Sequence, residues 1–406
     1  MTAVPGLENV ADAYPLTPLQ EGMLFHALAE PGADVFKNQR SIDVDGALDV
    51  TAFSAAWERL IERHDVLRTA FVWEGLDRPL QVVRRTAPLE MNEHDWAGLS
   101  PDEQSGRFRR LLHDDMQRGF DLHSPPLMRM TMIRMGEVRW RWLWSSHHLI
   151  ADAWSVQVLL DELQAIYAEL RGGSAFDLPE PFTYRDFVGS VLARDPADDE
   201  AFWRSRLAGF TDPHRLEVPG IPPAPNTAGH DALTVELDEG ASAGLRTAAA
   251  AEGVTVNSAV LAAWAVQLSR WTRETEVVFG TTTAGRDVTV PGMERAVGLF
   301  INTLPIRLAL EADESVGDFW RRAQRHQQEL YPFEQSSLAA VQRWSNTPAG
   351  DALFESIFVF GNRPAAAPGD KSSLAVRDVD FFEHSNYPLA VLVDPGSSLQ
   401  LRFVYD

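Results

Sequence analysis

The sequence contains no cysteine, which excludes disulfides, thiolate-ligated zinc and a cysteine nucleophile. It is also short of basic charge: 36 Lys and Arg stand against 58 Asp and Glu, a formal net charge of −22. A surface of that sign argues against nucleic-acid binding, which depends on neutralising phosphates with cations. No run of about 18 apolar residues occurs, and the opening MTAVPGLENVADAYP has no basic stretch leading into an apolar one, so neither a membrane span nor a secretory leader is expected. The expected setting is cytoplasmic, with no membrane partner. Low-complexity segments are missing as well, and with them the compositional sign of disorder.

What is present is a large apolar stock. The chain has 406 residues, 45% of them hydrophobic, with 12 Trp and 21 Phe, enough for two packed cores rather than one. After the turn-like YPLTP, Leu19, Met23, Leu24, Ala27 and Leu28 recur at helical spacing. A second helix is predicted with Phe53, Trp57, Leu60 and Ile61 on one face, followed by a strand in VLRTAFVW. A helix over about Ser105 to Gln117 precedes two paired strands, LMRMTMIRM and VRWRWLWSS, separated by Gly-Glu. Beyond them Val156, Leu159, Leu160, Leu163, Tyr167 and Leu170 predict another helix. Glycine and proline gather in RGGSAFDLPEPF, which reads as a domain boundary, with a looser break at VPGIPPAPNTAGHD. The second half repeats this grammar: a helix in NSAVLAAWAVQLSRW, then strands in EVVFGTTTAGR, VGLFINTLPIR and ESIFVFGN. The order is that of an α/β protein of two domains, 1–175 and 176–406.

The chemistry concentrates in WRWLWSSHHLIADAWS, Trp140 to Ser155. Successive strand residues face opposite ways, so Trp142, Trp144, Ser146 and His148 are expected on one face and Leu143, Ser145 and His147 on the other. Only one histidine can then meet a given cleft. Neighbouring histidines on opposite faces are poorly placed to share an ion, and no HExxH pattern is present, so no metal site is expected. The turn from strand to helix is a place where functional groups are displayed, but by itself the motif leaves a catalytic centre and a pair of packed histidines both open.

Seven stretches recur in order across the chain: YPLTPLQEGMLFH, RHDVLRTAF, SSHHLIADAWS, YRDF, VGLFINTLPIR, LYPFEQSSLAAVQRWS and NYPL. Together, from about Tyr14 to Leu389, they resemble the condensation domains of nonribosomal peptide synthetases. The resemblance implies two chloramphenicol-acetyltransferase-like lobes forming a V with a central tunnel, and a final helix that this sequence, ending LRFVYD, does not contain. It implies an acyltransferase-type reaction in which an acceptor amine attacks a donor aminoacyl or peptidyl thioester. Both substrates would arrive on 4'-phosphopantetheine arms of upstream and downstream peptidyl carrier proteins, with no cofactor bound by the domain itself. Neighbouring adenylation domains and an upstream epimerisation domain are the further partners implied.

By the same resemblance His148 is the catalytic residue and His147 its support. Asp152 is a salt-bridging residue that also stands where a helix cap would, with Arg63 or Arg286 as its partner; the sequence does not choose between them. Trp154 and Ser155 complete the supporting set. Asn302, Gln20 and Met23 are candidates for contacting substrate along the tunnel. Ala153 stands where the family has glycine, so a left-handed backbone there would cost about 1–2 kcal/mol. The N-terminal YPLTPLQEGMLFHAL, with QRWS and FVFGN, resembles the subtype that takes a D-configured donor and an L acceptor. The alternatives are a catalytically inactive module of this fold that recruits a partner enzyme, and a stand-alone acetyltransferase using coenzyme A. An epimerisation domain shares the HHxxxD core but not the N-terminal motif, and a cyclisation domain would carry an aspartate in place of the histidine pair.

Overall fold

The computed structural model describes residues 8–29, 36–174, 178–211, 213, 216, 231–286, 290–348, 351–361, 375–383 and 387–405. The break VPGIPPAPNTAGHD lies, but for its last residue, outside them, as do Asn362 and Asn386 of the quoted motifs and part of RGGSAFDLPEPF. The chain divides into two compact units. The first comprises 1–193, 286–300 and 363–384; the second comprises 194–285, 301–362 and 385–406. The first unit thus runs past the expected boundary at 175 and takes in two later segments.

The first unit carries β1 (Val10–Pro15), α1 (Pro18–Ala29), β2 (Lys37–Asp45), α2 (Val50–Arg63), β3 (Thr69–Val72), β4 (Leu80–Arg84), β5 (Glu90–Asp95), α3 (Pro101–Arg118), β6 (Met128–Arg134), β7 (Arg139–His147), α4 (Ala153–Leu170) and α5 (Tyr184–Leu192). A late strand, Ala375–Glu383, joins its five-stranded sheet, whose order is Ala375–Glu383, β2, β7, β6, β5. A smaller sheet has the order β1, β4, β3. The four apolar positions predicted for α2 are all buried. Phe53 and Trp57 meet the rings of Trp142 and Trp144 at centroid distances of 5.0–5.6 Å, so α2 covers the tryptophan face of β7. On the other face α3 sends Phe108 beneath the Arg141 guanidinium and Asp115 toward Ser145 and Arg129.

Two boundaries differ from expectation for local reasons. α3 begins at Pro101 because Ser100 and Glu103 form a reciprocal cap, each side chain meeting the other's backbone N–H. The strand in VLRTAFVW begins only at Thr69, since Asp65–Arg68 form a 3-10 turn.

The second unit carries α6 (Pro196–Arg206), β8 (Asp231–Glu236), α7 (Glu239–Ala251), α8 (Val256–Thr272), β9 (Glu276–Thr283), β10 (Asn302–Ala309), α9 (Val316–Leu330), α10 (Leu338–Trp344) and β11 (Ser356–Phe360). Then come β12, the late strand of the first unit, and β13 (Leu389–Asp394) and β14 (Gln400–Tyr405). Its sheet has the order β10, β9, β11, β13, β14, β8, with β11 parallel to both neighbours. α8 buries Val260, Leu261, Trp264, Ala265 and Leu268 against Val277, Phe279, Ile306, Phe358 and Val391. No single helix among the described residues is long and apolar enough to cross a membrane.

Candidate functional site

β7 ends at His147, and His148–Ile150 make one 3-10 turn before α4 starts at Ala153. The alternation expected of the strand carries into this turn. Trp144, Ser146 and His148 line a small pocket together with Asn38 and Arg40 of β2, Asp152, and Ala153 and Val156 of α4. Trp144 Nε1 and Asn38 Oδ1 are buried there with no hydrogen-bond partner among the described residues.

His148 is 7% exposed, and its Nδ1 lies 2.8 Å from the carbonyl oxygen of Ala151. A carbonyl can only accept, so Nδ1 carries a proton, and in the neutral form of the ring Nε2 is the acceptor nitrogen. The backbone N–H of His148 donates to the carbonyl of Phe36 at 2.8 Å. His147 is arranged the other way. Its Nδ1 accepts from the Leu149 N–H at 3.2 Å, which places its proton on Nε2. Burial pushes its pKa down to about 3, with the nearby His148 and Lys37 adding to the effect. His147 is therefore a neutral acceptor that fixes the turn.

Asp152 does both things expected of it. It caps α4, accepting from the Ser155 N–H at 2.8 Å, and its partner is Arg286 at 3.0 Å. Arg286 also donates to Ser155 Oγ and to the carbonyls of Met293 and Ala296, and its guanidinium lies 4.1 Å from the Phe300 ring centroid. Burial pulls this guanidinium down from its ordinary pKa while the Asp152 carboxylate pulls it up. Arg63 goes elsewhere: it donates to Glu162 Oε2 at 3.1 Å and to the Pro179 carbonyl. Although burial pushes the Glu162 carboxyl up, the bonds from His64 and Arg63 hold it below its ordinary value.

The segment expected as a strand from Val297 is strand only from Asn302. Its earlier backbone groups are taken up by the histidine motif instead. Gly298 N–H donates to Ser155 Oγ, Gly298 C=O accepts from Ser155 Oγ and Asp152 N–H, and Phe300 N–H donates to Asp152 Oδ2. Close approach requires glycine at 298, where an added Cβ would fall 2.3 Å from the Tyr184 ring. Trp154 donates from Nε1 to the Glu294 carbonyl at 2.9 Å. Asp152, Ser155 and Arg286 thus form one buried polar cluster, with the half-buried Trp154 ring against the Arg286 guanidinium.

The three tunnel candidates, Asn302, Gln20 and Met23, are all buried. Asn302 is 2% exposed; its amide donates to the carbonyls of Glu334 and Ser336, both at 2.8 Å, and its Oδ1 accepts from the Thr303 N–H. It satisfies backbone in the second unit, with the described residues using both amide hydrogens. Met23 is packed in the core, and Gln20 is fully buried among hydrogen-bond partners. Ala153 is the first helical residue after Asp152, and among the described non-glycine residues only Phe36 and Arg273 have positive φ. The backbone there is ordinary, so no left-handed cost arises. Among the described residues no three His, Asp or Glu side chains are placed to share a metal ion. Sequence reasoning missed Glu162, Gln81 and Gly298. Glu162 left one signal, a charge lying in the apolar stripe between Leu159 and Leu163.

The family model described as "Condensation domain" matches residues 10–406. One of the linear gramicidin synthase polypeptides of Brevibacillus parabrevis is 38% identical over 405 residues, 98% of this chain and 5% of that protein. Surfactin synthase subunit 3 of Bacillus subtilis (strain 168) is 30% identical over 409 residues, 98% of this chain and 31% of that protein. The chain thus spans a minor part of the length of these relatives. Among solved structures, the first condensation domain of the calcium-dependent antibiotic synthetase, in complex with a substrate analogue, superposes with a TM-score of 0.79 at 19% identity, covering 98% of this chain and 92% of that one. At that identity the likeness is one of fold.

Proposed function

Because the chain belongs to the condensation domain family, we propose that it joins two carrier-bound substrates through an amide bond in an acyltransferase-type reaction. The α-amino group of an acceptor aminoacyl thioester attacks the carbonyl carbon of a donor aminoacyl or peptidyl thioester. The C–N bond forms, the C–S bond breaks, and the amine proton passes to His148 and then to the departing thiolate of the donor's phosphopantetheine arm. The partners are donor and acceptor peptidyl carrier proteins, with adenylation domains nearby in a longer synthetase and the cytoplasm as its setting. No cofactor beyond the carriers' arms is required.

A single observation supports the reading: the Ala151 carbonyl accepts from His148 Nδ1 in a residue that lines the pocket, so proton transfer by the ring falls to Nε2. An amine of pKa near 8 is mostly protonated at neutral pH, so its attack gains from an acceptor. Proton handling of this kind is worth about 10² to 10⁴ in rate, while holding two tethered substrates in near-attack geometry supplies up to about 7–11 kcal/mol. His148 serves both purposes. His147, Asp152 and Arg286 hold its turn. The test is transfer between two loaded carrier proteins followed by mass spectrometry. His148→Ala is expected to cut dipeptidyl-carrier formation by at least about 10² with a nearly unchanged thermal midpoint. Product at the unsubstituted level would overturn the catalytic assignment of His148.

The N-terminal motif further supports a D-configured donor, supplied by an upstream epimerisation domain, and an L acceptor. Inverting one α-carbon exchanges hydrogen and side chain, and a displacement of about 1 Å at the reacting carbon costs on the order of 10² in rate. Donor carriers whose peptides differ only in the configuration of the last residue test this. Equal rates, or preference for the L isomer, would discard the subtype and leave the reaction standing.

A further inference from the structure

Gln20 and Gln81 are both fully buried, and neither touches the histidine pair. Their hydrogen bonds nonetheless end on its turn. Gln20 Oε1 accepts from the Thr17 N–H at 3.0 Å, and Gln20 Nε2 donates to the Leu149 carbonyl at 3.1 Å and to Gln81 Oε1 at 3.0 Å. Gln81 Nε2 in turn donates to the Pro15 carbonyl at 3.0 Å. Both amide orientations are forced, because Thr17 N–H can only donate and the Leu149 and Pro15 carbonyls can only accept. Every buried polar atom of the two side chains is thereby used, which is what makes such a network rigid rather than costly.

From this geometry we infer that Gln20 and Gln81 form an amide relay that positions His148. The relay rests on the proposed function of His148. Leu149 follows His148 directly, and its two peptide groups are held from two sides: its N–H by His147 Nδ1 and its C=O by Gln20. Ala151, whose carbonyl fixes the His148 ring, is two residues further on. Gln20 therefore restrains the span between the imidazole and the carbonyl that sets its tautomer. Gln81 keeps the Gln20 amide turned the right way. Both are positioning residues and neither contacts substrate.

The experiment uses the whole chain with Gln20→Leu, Gln81→Met and Gln81→Glu. Gln81→Met removes the acceptor offered to Gln20, whereas Gln81→Glu keeps it and, with its buried carboxyl protonated, still donates to the Pro15 carbonyl. At a temperature where circular dichroism shows each variant folded, single-turnover transfer at saturating carriers is expected to fall at least about tenfold in Gln20→Leu, with KM for both carriers kept within about twofold. Gln81→Met should lose several-fold, and Gln81→Glu should regain most of it. Imidazole ¹⁵N spectra supply a readout that simple destabilisation does not move: Nδ1–H in the unsubstituted chain, a tautomer mixture in Gln20→Leu. A folded Gln20→Leu with unchanged rate and unchanged tautomer would overturn the relay. Should that variant fail to fold, equal rates in the two Gln81 variants would do the same. If the unsubstituted chain forms no product, the proposed function fails by itself and the ¹⁵N tautomers decide the relay.

Discussion

Adjacent residues of one type, His147 and His148, are held in opposite tautomers. His147 accepts a backbone hydrogen bond on Nδ1 and is packed on the α3 side of β7, near Lys37 and the Phe120 ring. His148 gives its Nδ1 proton to a backbone carbonyl and lies in a pocket where two buried polar atoms have no partner among the described residues. What separates the two histidines here is which kind of backbone group meets Nδ1. The period of the strand sends the two rings to opposite faces, and the turn that follows supplies an N–H to one and a C=O to the other.

The comparison breaks most severely if its foundation is removed. Asp152→Ala deletes the carboxylate that caps α4, pairs with Arg286 and accepts from Phe300 N–H. It leaves a buried guanidinium uncompensated, so stability should fall by about 3–5 kcal/mol, read as the denaturant midpoint. Arg286→Met should lose a comparable amount, whereas Arg63→Met should lose about 1–2 kcal/mol, because His64 still bonds Glu162 at 2.7 Å. Equal losses for the two arginines would contradict the assignment of Arg286 as the partner. A stable but inactive Asp152→Ala protein would move Asp152 into the chemistry itself.

The tautomer contrast has a pH signature on the His147 side. An unfolded chain takes up a proton on this ring near pH 6.5, while the folded chain keeps it neutral down to about 3. Protons therefore favour the unfolded state, and stability is lost progressively as pH falls through 6.5 toward 3. At pH 5 the loss from this group is about 2 kcal/mol. Lys37, opposite it on β2, and His148 oppose its charging, while Asp115 on the same face is engaged by Arg129 and Ser145. His147→Asn keeps an acceptor for Leu149 N–H and cannot titrate, so its stability difference between pH 7 and pH 5 should shrink by that amount. An unaltered difference would show that His147 is charged in the fold.

Much of this site is legible in the letters. Alternation along WRWLWSSHH separates the two histidines, and Asp152 four residues on announces a cap or an ion pair; it is both. The choice between Arg63 and Arg286 is not legible, because the true partner lies 134 residues away in sequence and both candidates are arginines close to an aspartate. VGLFINTLPIR misleads for a related reason. Its β-like composition predicts one strand, but the backbone of Gly298 and Phe300 is used up by Ser155 and Asp152, and the division between the units falls at Phe300. Local pattern reports which residues favour a strand. It does not report which backbone groups a distant helix start will claim. Gln20 shows the same limit: helical spacing finds it in α1 but says nothing of Gln81 or the Leu149 carbonyl.

The smallest effect is expected at Ala153, where the family resemblance sets glycine. Glycine is needed where φ is positive or a Cβ would collide, and neither condition holds here: the backbone is that of a first helical residue, and the side chain is exposed at the pocket rim. Ala153→Gly should therefore cost at most about 1 kcal/mol through backbone entropy at the helix start. The transfer rate should stay within a few-fold, since the substitution removes one methyl group and leaves the hydrogen bonds of His148, Asp152 and Arg286 untouched. Parallel measurement of denaturant midpoint and single-turnover rate separates the two effects. A rate increase of more than about tenfold, about 1.4 kcal/mol in barrier, would show that this methyl group obstructs the approach of a substrate toward His148, making Ala153 a steric gate on that face of β7.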